Sequence, residues 1–170
     1  WKSAHAWTGP NRQDFLCGSL ESLARNLEAI GGHLIIREGN QTDALRELIL
    51  ECGAVELHFG ADPDPYGKSV EAKIRAMCAE LGVKCRAHSD TVLHAPEEVL
   101  NQSGLPYRVY TPYSKSWLAL PKSPPVSKPR ELRTPGNLNS LPLPTVESWG
   151  LVKPIARMLE PGERAARERL

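Results

Sequence analysis

The feature that most constrains this chain is a repeated switch between two hydrophobic periods, punctuated by glycine. Leu16, Leu20, Leu23, Leu27 and Ile30 recur at intervals of four and three, and Gly31-Gly32 follows. That spacing puts the apolar side chains on one helical face, and glycine accepts the left-handed backbone that closes a helix. His33 to Arg37 comes next as a short apolar run and predicts a buried strand. A second helical stripe, Leu45, Leu48, Ile49 and Cys52, stops at Gly53, after which Val55, Leu57 and Phe59 alternate as a strand. A third stripe, Val70, Ile74, Met77, Cys78 and Leu81, ends at Gly82 before the strand-like run Val83 to Ala87. Asn11 and Thr42 are the expected caps of the first two helices. Helices alternating with strands over short connections predict an α/β fold, a parallel sheet with flanking helices. A sheet of this kind ordinarily opens on a strand, so a first strand is expected to be missing upstream.

From Asp90 the alternation dissolves. Leu93 to Val99 predicts a turn of helix, Tyr107 to Tyr110 a short extended piece, and Ser114 to Leu120 further helix anchored by Trp117. Prolines at 121, 124, 125, 129, 135, 142 and 144 forbid regular helix or interior strand and predict an extended linker. Glu160-Pro161-Gly162-Glu163 then opens a charged helical run to Leu170 with no C-cap. The expected organisation is an α/β domain over 1–120, a proline-rich linker over 121–159, and the start of a further helical domain over 160–170.

Net charge excludes one class of function for this segment. With 21 Lys and Arg against 20 Asp and Glu, it lacks the basic excess of a chain that grips a DNA backbone by itself. The longest apolar runs, such as Leu34-Ile35-Ile36, are too short to cross a bilayer, and no leader precedes them, so the expected location is the cytoplasm with no membrane partner. Cys17, Cys52, Cys78 and Cys85 have no metal-ligand spacing and read as free thiols. None of His5, His33, His58, His88 and His94 is paired at i, i+4 or near a cysteine in ligand spacing, so no metal is expected. His58 alternates with Leu57 and Phe59 and reads as an ordinary packed or solvated side chain. Tyr107, Tyr110, Tyr113 and Trp117 read as a cluster pinning irregular chain. No nucleophile elbow is present, and no catalytic residue is expected in this segment.

Ligands of open α/β sheets bind beyond the carboxyl ends of the strands. Three loops fall on that edge: Glu38 to Gln41, Gly60 to Pro65 and Ala87 to Thr91. The middle one, Ala61-Asp62-Pro63-Asp64-Pro65, holds two carboxylates on a backbone stiffened by proline. Two readings stand for it, Asp64 as the cap of the following helix, or acidic side chains facing a ligand. No glycine-rich phosphate cradle follows any strand, which argues against a P-loop or dinucleotide site.

In order, these segments resemble class I DNA photolyases and cryptochromes. The carriers are Asn11-Arg12-Gln13-x-Phe15-Leu16, Ser19-Leu20-x-x-Leu23, Gly31-Gly32-x-Leu34 and Asp64-Pro65-Tyr66-Gly67. Asp90-x-x-Leu93-His94-x-Pro96 and Gly104-x-Pro106-Tyr107-x-Val109-Tyr110-x-Pro112-Tyr113 follow with similar spacing, then Trp117 and Glu160-Pro161-Gly162-Glu163. The resemblance implies a flavodoxin-like or Rossmann-like antenna domain and, in the complete protein, a helical domain holding FAD that splits pyrimidine dimers in damaged DNA with light. The linker and the Glu-Pro-Gly-Glu stretch resemble members using 8-hydroxy-deazaflavin as antenna pigment, with folate or FMN as the other pigments to test. By that resemblance Arg12, Asp62 and Asp64 are the expected pigment-binding residues. A cryptochrome light receptor without repair activity is the alternative, and a small nucleotide-binding flavodoxin-like module a further one. Alone, the segment is expected to bind pigment without catalysing repair.

Overall fold

The structure, a computed structural model, describes residues 9–89, 92–154 and 159–170. The opening aromatic stretch before Gly9, and Asp90 and Thr91, lie outside the described residues. The chain forms two compact units, one drawn from Trp1–Glu38 and Lys128–Leu170, the other from Gly39–Ser127.

In the second unit, helix α2 (Gln41–Cys52) leads to strand β1 (Glu56–Gly60), helix α3 (Pro65–Leu81) and strand β2 (Lys84–His88). The strands pair in parallel with Glu56 opposite Lys84 and Gly60 opposite His88. Thus the α/β architecture with a parallel sheet is present. Alternation along each strand sends Leu57, Phe59 and Cys85 toward α2 and α3, where Ile49, Ile74, Met77 and Cys78 are buried. Cys78 has no exposed surface and Met77 only 2%. Burying a side chain of that size stabilises the fold by about 1.5–3 kcal/mol. Both helices end on left-handed glycines, Gly53 at φ 64° and Gly82 at φ 68°.

The cap of α2 differs from the expectation. Asn40, not Thr42, is the N-cap, because its side-chain oxygen accepts from the backbone N–H groups of Thr42 and Asp43. Beyond β2 a 3₁₀ turn spans Pro96–Glu98 and helix α4 spans Tyr110–Ala119. Helix α4 therefore starts at Tyr110, four residues before the expected Ser114, and takes in the end of the segment read as extended. Tyr113 packs edge-on to Tyr107 at 6.3 Å and tilted to Tyr110 at 6.4 Å, while Trp117 meets His94 edge-on at 5.5 Å. Three of these four aromatic residues, Tyr110, Tyr113 and Trp117, lie in α4 itself, and Tyr110 is largely exposed.

In the first unit, helix α1 (Pro10–Glu28) starts one residue before the expected cap. Pro10 has no N–H to leave unpaired and its ring presets a helical φ, so the N-cap is Gly9 rather than Asn11. Gln13, Cys17 and Ala24 form the buried stripe of α1, and Val146 of the distal segment is buried in the same unit. Helix α5 (Glu163–Arg167) packs on α1, with Pro161 set against Gly18.

His33 to Arg37 is extended but is not a strand, a correction to the sequence reading. Its backbone partners lie in the proline-rich segment. His33 N–H donates to the Thr134 hydroxyl, Ile36 N–H to the Ser140 hydroxyl, and Leu141 N–H to the Ile36 carbonyl. Prolines at 135, 142 and 144 have no N–H to donate to a regular ladder, and the N–H groups of His33 and Ile36 are met by hydroxyl acceptors rather than by carbonyls of a paired strand. Residues 33–37 are exposed or half-buried.

All four cysteines are free, Cys17 and Cys78 buried and the others half-buried. No helix among the described residues is long and apolar enough to cross a membrane.

Candidate functional site

The carboxyl end of β1 opens into the acidic loop. Ala61 N–H donates to the His88 carbonyl at 2.7 Å, tying the loop's first residue to the end of β2. Asp62 then folds back, its Oδ1 accepting from Asp64 N–H at 3.1 Å. Asp64 is the N-cap of α3, its Oδ1 accepting from Gly67 N–H at 2.6 Å, and Pro65 occupies the first helical position. So the capping reading of Asp64 is present in full, as the residue types at these positions dictate.

Gly67 lets this turn close. A Cβ there would lie 2.8 Å from Asp62 Cγ and 3.0 Å from its carbonyl oxygen. Such distances are below van der Waals contact, so the Asp62 side chain occupies the space a larger residue would claim.

Beside the turn lies an open cavity of about 310 Å³ between α2, β1 and α3. Leu45, Val70 and Ile74 give it an apolar floor; Phe59 and Tyr66 add aromatic faces; Gln41, Asp62 and Glu71 supply polar groups. Glu71 pairs with Arg75 at 2.7 Å, which partly neutralises its charge. Asp62 is then the acidic group that the loop itself places at the cavity, close to the positive end of α3. A concave, largely apolar site with a few polar groups suits a planar organic ligand carrying hydrogen-bond donors.

Of the three residues expected to bind a ligand, Asp62 and Asp64 are brought together on this loop, and Asp62 lines the cavity. Arg12 belongs to the first turn of α1, in the other unit. Sequence reasoning reached the loop but not Phe59, Tyr66, Val70 or Glu71. Their signal was available only in part: Tyr66 and Glu71 follow the loop on the first turns of α3, and Phe59 is the last residue but one of β1 before it.

Burial pushes the Cys17 thiol up, helped by Asp14, and pushes the Cys78 thiol up, helped by a hydrogen bond with Cys85. Both therefore favour the unreactive thiol form. Among the described residues, no group of three or more His, Cys, Asp or Glu side chains could hold a metal ion.

A family model described as DNA photolyase matches residues 1–131. The chain belongs to the DNA photolyase family. A deoxyribodipyrimidine photo-lyase from Synechococcus is 31% identical over 95% of this chain and 35% of its own length. A cryptochrome DASH from Danio rerio is 31% identical over 87% of this chain and 29% of its own length. The crystal structure of a bacterial class III photolyase from Agrobacterium tumefaciens superposes with a TM-score of 0.82 at 27% identity, covering 95% of this chain and 35% of that one. The chain therefore corresponds to about a third of these photolyase relatives, 35% in two of them, and shares their Rossmann-like α/β fold over that portion.

Proposed function

We propose that this chain is the antenna-pigment-binding part of a cytoplasmic deoxyribodipyrimidine photolyase. In the whole protein it would pass light energy to FAD held by a helical domain, for the repair of pyrimidine dimers in damaged DNA. The observation that carries the reading is the cavity at the carboxyl edge of the sheet. It combines two aromatic side chains, an apolar floor and the Asp62 carboxylate in a chain of the photolyase family.

The pigment proposed is 8-hydroxy-deazaflavin, a planar ring system whose polar edge would meet Asp62 while Phe59 and Tyr66 cover its faces. Asp64 supports the pigment by holding the loop through its cap, and Arg12 enters the proposal on the family resemblance alone. A titration of the chain with 8-hydroxy-deazaflavin, a folate and FMN, followed by absorbance and fluorescence, tests the assignment. The expected result is saturable binding of the deazaflavin, weakened about tenfold or more in Asp62→Asn, because a hydrogen bond to a charged group contributes roughly 1.5–3 kcal/mol. Binding that Asp62→Asn leaves unchanged would remove the site. Binding of folate or FMN instead would rename the pigment.

A further inference from the structure

On the sheet face away from the α2 and α3 core, strand alternation places Glu56 and His58 of β1 beside Lys84, Arg86 and His88 of β2. His58 stands opposite Arg86, and His88 opposite Gly60, so the two histidines are diagonal neighbours. With no side chain on Gly60, the His88 ring can lean across toward His58. His58 Nδ1 lies 2.8 Å from His88 Nε2. The ring planes are within 7° of parallel and the centroids 5.0 Å apart. A centroid separation that exceeds the N···N distance by about two ring radii means that the rings face each other edge to edge, nearly in one plane. One proton fits between the two nitrogens.

A carboxylate stands on the far side of His58. Glu56 Oε1 is 3.5 Å from His58 Nε2 and also pairs with Arg86. The network assigns the Nε2–H tautomer to His58, with the Nδ1 lone pair turned to His88. Carboxylate, imidazole and open ring nitrogen in sequence is the way metal-binding histidines are oriented from behind.

We propose that His58 and His88 form a two-imidazole site for a tetragonal transition-metal ion, Cu²⁺ above all, with Glu56 as the positioning carboxylate. Two nitrogens bound at about 2.0 Å and at right angles on one ion stand about 2.8 Å apart. The rings already hold that separation and need only turn, which their exposure permits; the His58 side chain is 53% exposed. On binding, the shared proton moves through solvent to the outward Nδ1 of His88, leaving both rings neutral. Water fills the remaining positions; among the described residues, no group of three or more His, Cys, Asp or Glu side chains stands together there as metal ligands. The nearby Lys84 and Arg86 charges weaken the site, so it favours the ion at the top of the divalent affinity order.

The test is a Cu²⁺ titration of the chain followed by visible absorbance and electron paramagnetic resonance. One ion per chain with two nitrogen couplings is expected. His58→Gln and His88→Gln should each remove a coupling and weaken binding about tenfold or more, and Glu56→Gln should weaken it about tenfold. His33→Gln, an exposed histidine elsewhere, should change nothing. No uptake, or an unchanged spectrum and affinity in His58→Gln and His88→Gln, overturns the site. Full affinity in Glu56→Gln removes the positioning role. Circular dichroism of each variant separates lost binding from lost folding.

Discussion

Replacing Gly67 by alanine should destabilise this protein, although the same change on the exposed surface of a helix ordinarily stabilises it. Alanine is favoured over glycine inside a helix by about 0.8–1 kcal/mol. Here the new Cβ would sit 2.8 Å from Asp62 Cγ and 3.0 Å from the Asp62 carbonyl oxygen. Neither atom can simply swing clear, because Asp62 Oδ1 holds Asp64 N–H and Pro63 and Pro65 stiffen the loop. Overpacking of this kind costs about 1–3 kcal/mol, which outweighs the helix preference and leaves a net loss of about 1 kcal/mol. The assay is a urea melt followed by far-ultraviolet circular dichroism, carried out as a double-mutant cycle with Asp62→Gly. Removing the Asp62 side chain relieves most of the clash, so Gly67→Ala should be close to neutral or stabilising in that background. A coupling of about 1–2 kcal/mol between the two positions is expected. Stabilisation by Gly67→Ala alone, or an equal cost with and without the Asp62 side chain, would refute the proposed close approach of loop and helix.

Two further outcomes follow from local geometry. Lys122 Nζ donates to the Trp117, Leu118 and Leu120 carbonyls, each at 2.7 Å, and lies 4.8 Å from the Trp117 ring centroid, so Lys122→Met should loosen the end of α4 by about 1 kcal/mol. Faster hydrogen exchange confined to α4 amides would register this, and unchanged exchange would count against it. The Glu56 carboxyl is lowered chiefly by its hydrogen bond with Arg86, so its stabilising contribution is present above the ordinary glutamate range and is lost as pH falls through the lowered value. Glu56→Gln should therefore flatten the acid side of the stability profile, and an acid limb identical to that of the parent chain would contradict it.

How much of this could be read from the sequence depends on the range of the forces involved. The positions of α1, α2 and α3 followed from apolar spacing of three and four, and their ends from Gly53 and Gly82, because a helix is specified by contacts within one or two turns. The strands β1 and β2 were legible for the same reason, since alternation shows in five residues. The Asp62–Asp64 loop stood out because two prolines flank acidic residues before a helical stripe. Family membership also rested on order and spacing of such short motifs.

The segment 33–37 marks the limit. Its apolar run matches a strand, yet a ladder needs partner N–H groups supplied from elsewhere in the chain. The partner is a proline-rich stretch more than a hundred positions along, poor in N–H donors, which meets the segment's own N–H groups with hydroxyl acceptors. The cavity shows the same division. Asp62 was legible as a candidate, whereas Phe59, Val70 and Glu71 joined it only once β1 and α3 packed together. The histidine pair was the least legible of all. Thirty residues separate His58 from His88, and only parallel register, with Gly60 opposite His88, brings their ring nitrogens to 2.8 Å. Local periodicity determined which elements form; long-range pairing, whose geometry no short window of sequence contains, decided which side chains meet.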